Sequence, residues 1–182
     1  TQVMQSLSTT TGGVVGITNS FGLNCCFDPD LTGVGHQPMG FDQWAAFYDL
    51  YKVTKVDIKL RPMLYGTDRM FIAAQVNGSQ DTTVLAGATY DACNERANCA
   101  TKILMGNDDD DVISRSFWMS EIEGHNINDD NYAAVTTGNP GNRVIMRLGA
   151  GNVDQADTGQ IKCVVELNFH VTFYNKKTLS QS

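Results

Sequence analysis

Positive charge is scarce in this sequence. Its 182 residues include 13 Lys and Arg against 20 Asp and Glu, and the net charge at pH 7 is −7. A chain this acidic is repelled by nucleic acid and by anionic lipid. The residues given therefore argue against a domain that binds a polyanion through its overall charge.

Long apolar runs and paired cysteines are also missing. No apolar stretch approaches the roughly 20 residues that span a bilayer, and no signal peptide is visible, so we expect no membrane partner. The five cysteines are odd in number and include no C-x-x-C pair, which favours neither a disulfide framework nor a zinc site. A bridge between Cys93 and Cys99 stays open as an alternative, but a reducing compartment fits better.

The residues that are present indicate one folded domain rich in turns. Hydrophobic residues make up 42% of the chain, and 17 Gly accompany many Thr and Asn. A globule of this length buries roughly 70% of the surface that its unfolded chain exposes. Because the first residues are polar and end in Gly12-Gly13, we predict an N-terminal arm over 1–16 and a single domain over 17–182.

Alternation of apolar and polar residues predicts the strands. The clearest covers residues 161–173, where every second residue is apolar; at about 3.3 Å per residue it is roughly 45 Å long. An earlier strand directs Val56, Ile58 and Leu60 to one side, and we expect Pro62 to end it because proline lacks a ladder donor.

One short helix interrupts the strand pattern. Phe41, Trp44, Ala45, Tyr48 and Tyr51 follow helical spacing and form one apolar face. They predict a helix of about a dozen residues, which is marginal alone and must pack on the rest of the protein. Trp44 and Tyr48 are then expected in the core.

About eight strands with no β-α-β rhythm predict an all-β fold. We expect a single eight-stranded antiparallel jelly roll, a two-sheet sandwich, with the short helix before the second strand. Gly149-Ala150-Gly151 is expected to be a turn, because no helix follows it. The immunoglobulin alternative lacks its Cys…Trp…Cys spacing.

Two segments carry a family resemblance. The run GHQPMGFDQWAAFYDLYKVTKVDIKLRP (residues 35–62) and the C-terminal QIKCVVELNFHVTFYNKKTLSQS (residues 160–182) together make up about a quarter of the chain. They resemble the start and the long last strand of the capsid protein of circular Rep-encoding single-stranded DNA viruses, which are the circoviruses and their relatives.

The resemblance implies a structural coat protein with no enzymatic activity and no cofactor. It implies a homomeric T=1 shell around a circular single-stranded DNA, located in the virion and assembled in the host nucleus. Such capsid proteins usually carry an Arg/Lys-rich N-terminal arm, which this sequence lacks. Since an acidic shell repels a genome, we expect a basic segment before Thr1 to bind the DNA.

Three sets of residues are candidates for contacts. Lys55, Lys59 and Arg61 form a basic row that can touch DNA phosphates, or else an ordinary solvated or subunit-contact face. Arg143 and Arg147 are a similar, weaker pair, which we also assign to a subunit interface. Phe47 falls off the helical apolar face and is expected to meet a neighbouring subunit.

Metal binding and catalysis have only weak signals. The acidic run Asp108, Asp109, Asp110, Asp111 can attract Ca²⁺ but fails the EF-hand pattern, so a solvated loop is the better interpretation. The three histidines, His36, His125 and His170, form no ligand or catalytic spacing, and His36 is expected to fix a loop.

Two alternatives stay open. One is the coat protein of a small RNA or satellite virus, which shares every feature except the nature of the cargo. The other, less favoured, is a non-viral jelly-roll carbohydrate-binding module. A jelly-roll enzyme of the cupin type needs a set of histidine ligands that this sequence does not offer. The host receptor is not indicated by any residue pattern.

Overall fold

The computed structural model describes residues 1–9, 12–16, 18–33, 36–64, 69–105, 112–122, 130–153 and 159–178. The described part contains nine strands: β1 (Gln2–Ser8), β2 (Asn19–Gly22), β3 (Tyr48–Leu64), β4 (Met70–Asn77), β5 (Cys99–Leu104), β6 (Ile113–Trp118), β7 (Ala133–Val135), β8 (Ile145–Asn152) and β9 (Gln160–Lys176). Short helices α1 (Phe41–Ala45), α2 (Tyr90–Asn94) and α3 (Met119–Ile122) and a 3-10 turn at Asp130–Tyr132 lie between them.

The strands form two antiparallel sheets. One has the order β1-β9-β3-β6, with β7 also paired to β3, and the other has the order β2-β8-β4-β5. Apart from β4 and β5, strands that are neighbours in a sheet are not consecutive in the chain, as in a jelly roll. The predicted all-β jelly roll is confirmed. The helix precedes the third strand instead of the second, because the chain begins with a strand that was not expected.

That unexpected strand is β1, in the region predicted to be an arm. β1 pairs with β9 along its whole length. Its inward side chains include Leu7 and Gln5, both buried. Gln5 Nε2 donates to Asp30 at 3.1 Å, and Gln5 Oε1 accepts from Asn19 at 2.7 Å. Because Gln5 is polar, the sequence of β1 does not show the apolar–polar alternation that predicts a strand. Gln5 can be buried because its amide group is hydrogen-bonded.

The two long strands β3 and β9 organise the core. Each has 17 residues, and they pair from the Tyr48–Lys176 end to the Leu64–Ile161 end. The inward residues of both strands pack against the second sheet, which confirms the predicted alternation. The buried ones include Val56, Ile58, Leu60, Ile161, Cys163, Val165 and Leu167.

Pro62 does not end β3, contrary to the expectation. β6 ends opposite Leu60, where Ile113 is its partner. In the described part of the chain, Pro62 therefore has a strand neighbour only on the β9 side, where it lies opposite Cys163. A proline is tolerated where a strand has an edge, because the missing amide hydrogen breaks no ladder on the open side.

The helix is shorter than predicted. α1 ends at Ala45, and Tyr48 is already the first residue of β3. Phe41 is buried, but Trp44 is 55% exposed and not part of the core as expected. The aromatic spacing continues into β3 without being helical, since Tyr51 is buried there by the alternation of the strand.

Gly149-Ala150-Gly151 lies inside β8 and is not a turn. A Cβ on Gly151 would lie 2.4 Å from ring carbons of Phe71, and one on Gly149 would lie 2.4 Å from Val15. These distances are far below ordinary contact, so no larger residue fits. Glycine inside a strand often marks such a close approach, but the sequence alone does not name the neighbour.

Candidate subunit and nucleic-acid interfaces

The predicted basic row lies on the solvent face of β3. Lys55, Lys59 and Arg61 are separated by residues of the opposite face, which are buried. Successive residues of a strand point to opposite faces, so these three side chains share one surface. Their contact with nucleic acid stays a prediction.

Asp57 lies in the middle of this row and pairs with its first cation. Lys55 Nζ is 2.7 Å from Asp57 Oδ1, and His170 Nε2 is 2.7 Å from Asp57 Oδ2. Ser116 also donates a hydrogen bond to Asp57. The hydrogen bond from Lys55, followed by those from Ser116 and His170, holds the pKa of Asp57 well below its usual range. The carboxylate therefore stays ionised beside Lys55.

Glu166 of β9 pairs with the other end of the row. Arg61 Nη2 lies 3.4 Å from Glu166 Oε2, and Lys59 is directly opposite Glu166 in the strand register. Three cations and two carboxylates leave a net charge of 3 − 2 = +1 on these five groups. Because affinity for phosphate grows with the number of cations that replace counterions, the two carboxylates reduce the attraction that the row can exert on phosphate.

Arg143 and Arg147 do not extend that row, because Arg147 lies in β8 of the other sheet and Arg143 lies just before that strand. Arg147 Nη1 donates to Asn77 Oδ1 at 2.8 Å, and Asn77 Nδ2 donates to Asp81 Oδ2 at 2.6 Å. Arg147 therefore helps to fix the loop that follows β4. Arg143 is exposed just before β8. Their role in a subunit interface stays a prediction.

Exposed apolar side chains gather around α1. Met39 is fully exposed, and Phe47 is 49% exposed. The backbone N–H of Lys177 donates to the Phe47 carbonyl at 2.9 Å, and Lys177 Nζ donates to the Ala45 carbonyl at 2.7 Å. These bonds attach the connection to the end of β9, so Phe47 is held in an exposed position, as a contact residue needs to be.

A groove of about 710 Å³ opens beside α1. The ring of Trp44 stacks on Phe173 with centroids 6.0 Å apart, and the ring of Phe41 lies 5.7 Å from Phe173. The apolar residues that line it include Phe41, Trp44, Tyr48, Phe169, Val171 and Phe173. The alternation of β9 predicts that its three residues face inward, but not that they border an open groove.

The weak metal candidates lie mostly outside the described residues. This holds for Asp108, Asp109, Asp110 and Asp111, and for His125. Within the described part of the chain, no three His, Cys, Asp or Glu side chains come together as a metal site. His36 Nδ1 lies 2.9 Å from the carbonyl oxygen of its neighbour Gln37, in line with the predicted role in fixing a loop.

All five cysteines are free thiols. Cys93 and Cys99 share a hydrogen bond, which lowers the pKa of Cys93 and raises that of Cys99. Burial raises the pKa of Cys25, Cys26 and Cys163 to about 12. These three thiols therefore stay protonated and behave as small apolar side chains.

No helix among the described residues has the length and apolar character needed to cross a membrane.

Comparison with known proteins relates the fold to viral shells. No protein-family model and no curated protein matches this chain in sequence. The structure of Sacbrood virus of honeybee in expansion state II matches all of this chain and 87% of that chain, with 9% identity and a TM-score of 0.53.

Two other solved viral structures also match this chain in fold. The decameric BFDV capsid protein, from a circovirus, matches 96% of this chain and 95% of that chain, with 16% identity and a TM-score of 0.50. Desmodium yellow mottle tymovirus matches 100% of this chain and 84% of that chain, with 8% identity and a TM-score of 0.46. In fold, this chain is similar to viral capsid proteins.

Proposed function

We propose that this chain is the structural subunit of a small viral capsid. The observation that carries the proposal is the jelly roll of two antiparallel sheets, which the chain shares with capsid proteins at TM-scores of 0.50 and 0.53. The subunit works by its shape and by contacts with copies of itself, and we assign it no catalysis.

Self-assembly into a T=1 icosahedral shell is part of the proposal. Closed symmetry makes many modest contacts cooperative. The BFDV capsid protein of similar fold is decameric, and this chain exposes Met39, Trp44 and Phe47 around α1. Exposed apolar patches of this kind mark protein–protein contacts.

The proposed cargo is a circular single-stranded DNA. Its support is the resemblance of residues 35–62 to capsid proteins of circular Rep-encoding viruses. The described basic row has a net charge of only 3 − 2 = +1 over five groups, and the chain as given has −7. We therefore assign most genome binding to a basic segment before Thr1, with assembly in the host nucleus and the product in the virion.

An RNA cargo is the second candidate. It is favoured by the similarity in fold to Sacbrood virus, since RNA-virus capsids are among the neighbours. Shape alone does not separate the two, because the genome is recognised by charge and not by the jelly roll.

Electron microscopy of the full-length natural product tests the proposal. We expect uniform small icosahedral particles. A protein that stays monomeric under assembly conditions would contradict the capsid role. Nuclease treatment of the nucleic acid extracted from particles then decides the cargo: digestion by DNase alone supports the DNA proposal, and digestion by RNase alone replaces it with the RNA candidate.

A further inference from the structure

The segment that contains α2 covers the second sheet on the side away from the main core. Phe71 and Ala73 of β4 point to that side and pack with Leu85 and Cys93 in a second buried cluster. Cys99, the first residue of β5, packs against the same cluster and is half-buried. The two cysteines therefore belong to one cluster, at the place where α2 contacts β5.

Hydrogen bonds fix the short connection between these two cysteines. The backbone N–H of Cys93 donates to the Thr89 carbonyl at 3.0 Å, and that of Arg96 donates to the Cys93 carbonyl at 3.3 Å. Asn98 has a φ of 55°, a left-handed conformation that asparagine tolerates better than most residues. Its carbonyl accepts from the Val76 N–H at 3.0 Å. The fold therefore sets the positions of both cysteines.

The side chain of Arg96 anchors the same connection to its surroundings. Arg96 Nη1 donates to Gln75 Oε1 at 2.9 Å and to the Val84 carbonyl at 2.8 Å. Gln75 lies directly opposite Cys99 in the pairing of β4 with β5. The guanidinium is therefore held beside the two thiols, where its positive charge favours the thiolate form.

The pair differs in reactivity from the other three thiols. Its shared hydrogen bond lowers the pKa of Cys93, and the charge of Arg96 acts in the same direction. Burial instead raises the pKa of Cys25, Cys26 and Cys163 to about 12. Because the thiolate is the reactive form of cysteine, oxidation is expected at the pair before it occurs at the other three.

We propose that Cys93 and Cys99 form a site of reversible oxidation, at which a disulfide attaches α2 to β5. The oxidant is a small disulfide of the glutathione type. The half-exposed sulfur of Cys99 attacks it, releases one thiol and keeps the other half in a mixed disulfide. The sulfur of Cys93 then attacks that of Cys99 and releases the second thiol. Two electrons and two protons pass from the protein to the small disulfide, which becomes two thiols.

The compartment sets the state of the pair. Thiols stay reduced in the cytosol and the nucleus, whereas disulfides persist outside the cell. For the proposed capsid, the pair is then reduced during assembly and oxidised in the released particle, a step that rests on the proposed function. The bond closes a ring over residues 93–99 and restricts the unfolded chain. It therefore stabilises the cover of the second sheet after release.

Peptide mapping tests the bond directly. Trypsin cleaves after Arg96, so Cys93 and Cys99 fall in separate peptides, 70–96 and 97–102, each with no other cysteine. Folded full-length protein is incubated with oxidised glutathione, alkylated in denaturant, digested and analysed by mass spectrometry without reduction. We expect the two peptides as one linked species that dithiothreitol separates. Two separate alkylated peptides, or a link from either one to another cysteine, would overturn the proposal.

Single substitutions test the order of the two attacks. Cys93→Ser removes the thiol that resolves the mixed disulfide, so a glutathione adduct should accumulate on Cys99. Cys99→Ser removes the accessible thiol, and Cys93 should then stay free of glutathione. Cys163→Ala, in the main core, is the control and should still give the linked peptides. An adduct on Cys93 in the Cys99→Ser variant would contradict the assigned order.

Thermal unfolding measures the effect of the bond on stability. We expect oxidation to raise the Tm of the unmodified protein by about 5 °C and to leave that of Cys99→Ser unchanged. An equal rise in both would show that the bond does not stabilise the fold. These measurements need no assembled particle. Particles without linked peptides would contradict the disulfide alone, and linked peptides in a protein that never assembles would contradict the capsid role alone.

Discussion

The two halves of β9 have the same sequence pattern and different surroundings. In the first half, Ile161, Cys163, Val165 and Leu167 are at most 1% exposed, and the strand is paired on both sides. In the second half, the inward residues are only partly buried and line a groove, and β3 is the one strand beside them among the described residues. Alternation therefore determines which face is apolar, but not whether another element covers it.

Strand length explains the difference. β9 and β3 have 17 residues each, whereas the strands of the facing sheet have four to eight. At about 3.4 Å per residue, the facing sheet is roughly half as long as the strands it packs on. The covered half of β9 supplies folding stability, since apolar burial is its main source, and the other half supplies less of it.

Truncating a side chain in each half should give the largest contrast in stability. We expect Ile161→Ala to lower the free energy of unfolding by about 2–5 kcal/mol, because it leaves a cavity in the core. Val171→Ala should cost less than about 1 kcal/mol in the monomer, since its site is partly exposed. Urea unfolding of both variants measures this. Equal losses would show that the second half is as well covered as the first.

A buried thiol provides a second contrast, read through pH. Burial raises the pKa of Cys163 to about 12 from an ordinary value of 9.0. Its contribution to stability is therefore complete well below pH 9 and is lost as the pH rises towards 12, at up to about 1.4 kcal/mol per pH unit. Between pH 9 and pH 10, Cys163→Ala should lose about 1 kcal/mol less than the unmodified protein in urea unfolding under reducing conditions.

A thiol introduced in the second half of β9 should behave differently. Val171→Cys adds a cysteine that is only partly buried, so its pKa stays nearer the ordinary value and it should add little to the pH dependence. Cys25 and Cys26 contribute equally to all variants and cancel in the comparison. A slope as steep as that from Cys163 would mean that the groove is closed in the monomer.

The layered fold was largely predictable, because it depends on local periodicity. The alternation of Val56, Ile58 and Leu60, and of residues 161–173, identifies the two long strands and their buried faces. The buried strand β4 and the absence of a β-α-β rhythm complete the jelly roll. These patterns are visible in the sequence because a strand with one buried face must alternate apolar and polar residues.

The errors have a common physical cause, which is the neighbour that only the folded chain supplies. Gln5 can face inward because Asp30 accepts its hydrogen bond. Gly151 is inside a strand because Phe71 occupies the space of a side chain. Trp44 is exposed because β3 begins three residues after α1 ends. The same cause weakens the basic row, in which Glu166 joins from a distant strand.

The outward side chains of β3 and β9 are solvent-exposed or half-buried along both halves of β9. Substitutions on this solvent face should therefore have the smallest effect on the free energy of unfolding. Asp57→Asn removes an exposed ion pair with Lys55 and should change the free energy of unfolding by less than about 1 kcal/mol. If the row contacts phosphate, the loss of this carboxylate raises its affinity for a single-stranded oligonucleotide and steepens the salt dependence of binding. Lys59→Ala should lower the affinity and flatten the salt dependence. Asp91→Asn makes the same charge change as Asp57→Asn, but on α2 beside the other sheet, and should change neither quantity. Titrations at several salt concentrations compare the three, and equal gains from Asp57→Asn and Asp91→Asn would show that overall charge, not the row, attracts the nucleic acid.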